Sequence, residues 1–389
     1  MSKTISLKSY AKTLMALTVI AAPIGETIAQ TNKVPAEVVA RRLANKKAKQ
    51  QNPTTAAKKA KAAGVQLYGY VLASDEHDPG LYKFTSNNAA SISLVSDNVH
   101  CYNAATYVQG TYLSSWFEEN DTQVKFPIHF YEYDTNTWQM KIDKPSPELA
   151  YSAISMDLTF DPETQQVYGL FSDDDYSGQY KTLGKLVTTY WGENDYTSNS
   201  ETIGELPESM VAITCNRNGD LYTIGRSGTL YAVNKYSGAA KVLGETGYEP
   251  FKLFQSATCD YSTGKIYWAM LDKDYWATRI IEIDPTTGKG TEVCNFIDNY
   301  ANDQITGLYI KQDLTLKTVP QTVSNLSVDL TGLTSGTVKF TMPTKDVKDA
   351  ALSGSLNYTV RLNGVVAKTG TAAAGAAVTT DFTIGCHSN

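Results

Sequence analysis

Between Gln66 and Cys294 one pattern recurs at intervals near fifty residues. An aromatic-bearing strand is followed by a second strand that ends in a turn rich in Asp, Asn, Thr, Ser and Gly. Tyr68, Tyr112, Tyr168, Tyr222 and Tyr267 hold one repeat-equivalent place, and Phe84, Tyr133, Leu186, Val233 and Ile283 hold another. A fixed period of this size, with several short strands per unit, predicts an all-β chain whose repeats are the blades of a β-propeller. The period constrains architecture and leaves activity open, because propellers serve as binding platforms, hydrolases, lyases and scaffolds.

The unit from Met210 to Leu243 is the most regular. Val211–Asn216, Asp220–Ile224, Thr229–Asn234 and Ala239–Leu243 read as four strands joined by three tight turns. Gly219, Gly228 and Gly238 sit where turns need positive φ. The first unit begins at Gln66, already at its second strand. Its missing first strand reads at the far end, as Gln304–Tyr309. Ends that complete one blade between them close a ring and remove its sheet edges, so five blades are predicted over residues 65–316.

The flanks differ in character. Lys3, Lys8 and Lys12, the apolar run from Leu14 to Ala22 and the small residues Thr27-Ile28-Ala29 read as a secretory signal over residues 1–29, cleaved near Ala29. No run is long and apolar enough for a membrane span. Residues 30–64 hold nine basic residues and a single acid, Glu37, while the whole chain carries a net charge of −6. The body is therefore strongly acidic, and the basic stretch reads as a solvated linker or a marginal helix. Nucleic acid is a poor partner for an exported chain with an acidic body. The five cysteines are odd in number and widely spaced, with no CxxC, so no disulfide framework is indicated. Cys215 and Cys259 hold equivalent places in neighbouring repeats and read as small core residues.

Residues 317–389 form a separate piece. Val323–Leu330 and Thr337–Met342 alternate, and Tyr358–Gly364 carries an Asn-Gly hairpin turn. Five strands are predicted. The segment resembles the beginning of a fibronectin type III module, an immunoglobulin-like sandwich, without that family's last two strands and tyrosine corner. With the motifs D-P-x-T-G-x-[IV]-Y and [YV]-x-[VI]-[DN]-x-x-[ST]-G, the chain is similar to secreted surface proteins of gut-type Gram-negative bacteria. That resemblance implies export to the cell surface and carries no catalytic residues with it.

Two sets of residues are candidates for a site. Aligning the units on their Tyr anchors brings Thr106, Thr159, Thr214, Thr258 and Thr306 to one position of the first strand. Ala104, Asp157, Ala212, Ser256 and Gln304 fall two residues earlier, on the same side of the pleat. This face is predicted to line the central channel, as a polar ring or simply as β-branched residues whose hydroxyls bond neighbouring backbone. Glycoside hydrolysis usually needs two carboxyl groups roughly 5–9.5 Å apart. Asp157 is the single carboxylate of this ring and the one weak catalytic candidate.

The second set lies in the loops joining second to third strands. Asp75-Glu76-His77-Asp78, Glu118-Glu119-Asn120-Asp121, Asp173-Asp174-Asp175-Tyr176 and Asp272-Lys273-Asp274-Tyr275-Trp276 are acidic, and Gly225–Gly228 is not. Trp116, Asp174, Tyr176, Asp274, Tyr275 and Trp276 are the expected ligand-binding residues. Carboxylates accept hydrogen bonds from sugar hydroxyls, and flat rings stack on sugar faces. The same carboxylates suit Ca²⁺, although no loop has EF-hand spacing and no other cofactor is implied. There is no HExxH, GxSxG, P-loop or dinucleotide-binding motif. The first expectation is a non-enzymatic binder of an extracellular glycan, peptide or protein. A polysaccharide hydrolase or lyase, and a structural spacer, are the alternatives.

Overall fold

The structure, a computed structural model, describes residues 34–51, 64–101, 104–117, 128–146, 155–171, 180–191, 195–251, 255–297, 301–312, 314, 320–332, 335–346, 349–362 and 365–383. Its strands form antiparallel four-stranded sheets in chain order. The first contains β1 (Gln66–Ala73), β2 (Gly80–Thr85) and β3 (Asn88–Ser96). The second is β4 (Ala105–Val108), β5 (Thr111–Phe117), β6 (Ile128–Asp134) and β7 (Met140–Ser146). The third is β8 (Ser155–Asp161), β9 (Gln166–Phe171), β10 (Thr182–Trp191) and β11 (Asp195–Glu205). The fourth is β12 (Met210–Cys215), β13 (Leu221–Gly225), β14 (Thr229–Val233) and β15 (Ala240–Glu245). The fifth is β16 (Ser256–Cys259), β17 (Ile266–Leu271), β18 (Thr278–Ile283) and β19 (Gly290–Asn295). Strand β20 (Gln304–Tyr309) then pairs with β1, giving the first sheet the order β20-β1-β2-β3.

This is an all-β propeller closed by strands from the two ends of the repeat region. The innermost strands β4, β8, β12, β16 and β20 contact one another in a ring. Apolar side chains from adjacent sheets fill the space between them. Val211, Ala212, Ile224 and Leu230 pack with Ala257, Ile266, Trp268 and Met270, and Trp268 is fully buried. Tyr107 and Tyr68 stack on Tyr309 at 5.4 and 4.9 Å between ring centroids, tying the second sheet to the first.

Among the described residues a helix, α1 (Ala36–Gln51), precedes the sheets. Ala, Arg, Lys and Gln are good helix formers, Pro35 stands just before its start, and Glu37 lies in the first turn where the helix dipole favours an acid. Val38, Arg42 and Lys46 share one face at intervals of four residues, and Val38 and Arg42 are buried.

The chain divides into two compact units, with these sheets in the first and residues from Thr315 onward in the second. The second unit contains β21 (Ser324–Leu330), β22 (Ser335–Thr341), β23 (Ser355–Leu362), β24 (Val365–Ala373) and β25 (Ala377–Thr383). They form a three-stranded sheet β21-β22-β25 and a hairpin β23-β24 around Val338, Phe340, Met342, Val378 and Phe382.

Candidate functional site

The innermost strand of each sheet is an edge strand, so one side of its backbone has no strand of its own sheet to pair with. Buried N–H groups must find acceptors, and side chains of the ring supply them. Asp157 Oδ2 accepts from Ile213 N–H at 3.0 Å and Ala257 N–H at 3.1 Å, reaching β12 and β16 from β8. Its Oδ1 accepts from Ser256 Oγ–H at 2.9 Å. Ser256 Oγ in turn accepts from Leu308 N–H at 2.9 Å, and Thr106 Oγ1 accepts from Phe160 N–H at 3.1 Å. Tyr112 donates its hydroxyl proton to Gly307 O at 3.1 Å. Side-chain bonds to backbone thus run from β8 to β12 and β16, from β16 to β20, from β4 to β8 and from β5 to β20.

Asp157 is completely buried, and burial pushes its carboxyl well above the usual carboxylate range against the pull of these donors. Both oxygens of the group accept bonds from this chain's own strands. Thr106, Thr159, Thr214 and Thr258 line a small cavity of about 30 Å³, room for roughly one water. Gln304 and Thr306 are buried and are not among its lining residues.

On the loop face, three of the expected ligand-binding residues come together and three are not available. Asp174 and Tyr176 lie outside the described residues, and Trp116 is placed on β5 without a described side chain. Asp274, Tyr275 and Trp276 form the turn between β17 and β18, beside the loop between β1 and β2 that holds Asp75, Glu76 and His77. Helix α1 lies across these two loops. Arg42 donates from Nε to Tyr275 O at 2.7 Å and from Nη2 to Trp276 O at 2.9 Å. Its Nη1 meets Asp75 Oδ1 at 2.8 Å. The other oxygen of Asp75 accepts from Asn302 Nδ2 at 2.7 Å. Arg41 Nη1 reaches both Asp274 O at 2.7 Å and Asp274 Oδ1 at 2.9 Å, and Lys46 stands 3.7 Å from Glu76.

The Arg42 guanidinium is therefore held by two carbonyls and a carboxylate in a recess that leaves its side chain 6% exposed. Burial lowers its pKa and Asp75 opposes that, as expected for a cation taken out of water and given an anion in exchange. Next to this recess His77 Nδ1 lies 2.7 Å from Asp303 Oδ1, and burial raises the Asp303 carboxyl while Ser74 and His77 oppose it. Neither the arginines nor Asp303 was among the sequence candidates, and His77 was there as part of an acidic loop. Charge alone marks residues 30–64 as basic, and it does not say which anions they meet.

The turn that builds the recess follows a device that recurs in the propeller. An Asp accepts, through Oδ1, the N–H two residues on; its C=O accepts the N–H four residues on; and its own N–H goes to the carbonyl five residues on. Asp134, Asp260, Asp272 and Asp284 all do this. The fourth residue after the Asp takes a left-handed backbone, which glycine adopts without cost: Gly264 at φ 73° and Gly288 at φ 74°. In the other two copies that place is filled by tryptophan, Trp138 at φ 56° and Trp276 at φ 51°. A bulky side chain there is disfavoured, and such strain concentrates at functional sites. At Trp276 the strained residue aims its carbonyl at Arg42, while its ring packs on Phe251 at 5.0 Å. Asp-x-x-x-Trp where sister turns read Asp-x-x-x-Gly is a signal visible in the sequence.

No protein family's sequence profile matches this chain, and no curated protein sequence matches it. Solved structures do resemble it. A protein of unknown function from Bacteroides thetaiotaomicron aligns at 10% identity and TM-score 0.32, covering 72% of this chain and 60% of its own. Apo AztD from Citrobacter koseri aligns at 12% identity and TM-score 0.27, covering 63% and 59%. Myxococcus xanthus glutaminyl cyclase aligns at 15% identity and TM-score 0.32, covering 61% and 84%. The aligned part spans less than two thirds of the first two structures. Among the described residues no helix is long and apolar enough to cross a membrane, and no three His, Cys, Asp or Glu side chains converge as a metal site requires.

Proposed function

We propose that this is an exported, cell-surface, non-enzymatic binding protein whose acidic propeller face takes an arginine-bearing peptide or protein segment. The observation that carries this reading is the Arg42 recess. Tyr275 O, Trp276 O and Asp75 converge on one guanidinium, and a planar fork of five donors is the chemistry that such a set of acceptors selects. Segment 34–51 fills the recess from within the same chain, so the face is complementary to a basic helix. Burial and full engagement of Asp157 argue against the channel as a catalytic centre. The signal-like residues 1–29 support export, and the five-stranded second unit is consistent with a fibronectin-like spacer.

The test is peptide capture by the full-length chain after signal cleavage. Arg42→Ala empties the recess. This variant should bind a synthetic peptide of residues 34–51 saturably, and the unmodified protein should bind it at least about tenfold more weakly because its own helix competes. The same peptide with alanine at the Arg42 place should not bind, and Asp75→Asn should abolish capture. Equal binding of both peptides, or none by the Arg42→Ala protein, would remove the reading.

A further inference from the structure

The second strained tryptophan stands at the opposite end of the strands, where the loops joining third to fourth strands emerge. There Trp138 borders an open cavity of about 270 Å³ whose lining also includes Tyr68, Thr135, Tyr309, Lys83 and Lys311. From these residues we infer that this cavity is a binding site for an acidic saccharide residue, of the uronic-acid type.

Four observations converge on it. Trp138 occupies a left-handed position that glycine fills in two sister turns, so its ring is kept at a conformational cost. The Tyr309 ring is stacked between Tyr68 and Tyr107, and its hydroxyl is buried with no hydrogen-bond partner among the described residues. Tyr68, half-buried in that stack, gives the cavity an aromatic wall. Lys83 and Lys311 are both exposed at the rim and bring positive charge to one cavity of an otherwise acidic protein. Lys311 Nζ is oriented by Asn136 Oδ1 at 3.0 Å, a residue of the Trp138 turn itself.

The ligand class follows from that set. Two ammonium groups call for an anion, and an indole beside tyrosine rings calls for a flat, weakly polar face. A uronate ring supplies both, and the cavity has room for about one such ring. A plain carboxylate or phosphate would use the lysines and leave the rings idle, whereas a neutral sugar would use the rings and leave the lysines idle.

The experiment is calorimetric titration of the full-length protein with trigalacturonate, with maltotriose as the neutral counterpart and with acetate and inorganic phosphate as bare anions. Trigalacturonate should bind saturably and at least about tenfold more tightly than maltotriose, acetate or phosphate. Trp138→Gly restores the residue that the sister turns use, so it should leave Tm unchanged or raise it while weakening binding at least tenfold. Lys311→Gln should remove the preference for the acidic sugar over the neutral one. No saturable binding overturns the inference, as does equal affinity for maltotriose or phosphate. Undiminished binding by Trp138→Gly overturns it as well.

Discussion

The Trp276 recess and the Trp138 cavity are built on the same five-residue turn and have opposite chemistry. At Trp276 the surroundings are acidic, the backbone carbonyls do the binding, and the recess is filled by Arg42 of the same chain. At Trp138 the rim is cationic, the ring itself faces the cavity, and the space is open. The repeat supplies a rigid turn, and a left-handed residue in it can be used in either of two ways. Its carbonyl can be aimed, or its side chain can be displayed. The two copies that keep glycine, at Gly264 and Gly288, do neither.

Both sites hang on the inner ring, so damage to the ring should remove them together. Asp157→Ala leaves Ile213 N–H and Ala257 N–H buried without acceptors, which should cost about 3–5 kcal/mol and appear as a fall in Tm with loss of both binding activities. Asp157→Asn is expected to be far milder, because one amide oxygen can still accept from both N–H groups while the amide nitrogen faces Ser256. If Asp157→Ala spared either site, the common dependence on the ring would be broken.

Arg42→Ala separates the two sites. It removes three charge-assisted bonds from the recess, and a loss of about 2 kcal/mol in helix docking corresponds to roughly 30-fold lower hydrogen-exchange protection over residues 36–51. Trigalacturonate binding at the far end should not change. Uniform loss of protection across β1 to β20 would mean that the helix supports the fold rather than filling a site.

How far these regions could be read beforehand differs for physical reasons. Strand periodicity, the Tyr anchors and the closure of β20 onto β1 are legible because pattern and turn chemistry act locally, and the observed sheet order bears that reading out. Thr106 and Asp157 stand on innermost strands, as the same alignment expects. What Asp157 does there depends on Ile213, Ser256 and Ala257, partners up to a hundred residues away that no local pattern reveals. Docking of α1 was equally hidden, since Arg42 meets Tyr275 and Trp276 more than two hundred residues on. Trp276 meets Arg42 through its carbonyl while its ring packs on Phe251, an arrangement that residue type alone does not reveal.

The tryptophans themselves give a smaller and opposed pair of effects. Trp138→Gly relieves a left-handed residue, a gain of about 1 kcal/mol offset by modest loss of packing at a half-buried ring. Trp276→Gly relieves the same strain but forfeits the contact with Phe251, so thermal unfolding should show it below the parent protein. Both variants moving in the same direction would mean that the two turns use their tryptophans alike.

The smallest effect expected is one of pH, and it tests whether Asp157 is held neutral. Burial raises its folded carboxyl well above the ordinary value of 3.8, at which the unfolded chain sheds its proton. Between those two points the folded state binds more protons than the unfolded one, so this group's contribution to stability is whole below 3.8 and is lost as pH rises through the folded value. Other carboxyls act in the opposite sense: turn bonds hold Asp134, Asp260 and Asp284 below their usual range, so they favour the fold as pH rises. The raw pH profile therefore mixes the two. The difference between the parent protein and Asp157→Asn cancels every other group, because asparagine does not titrate. Measured from pH 4 upward (the range is about where the unfolded carboxyl ionises), the Tm of the asparagine variant should gain steadily on the parent. A difference that stays flat would mean that the N–H donors of Ile213 and Ala257 hold Asp157 as a carboxylate throughout. The centre of the ring would then be an anion that stabilises by charge and not a neutral acid that stabilises by hydrogen bonds alone.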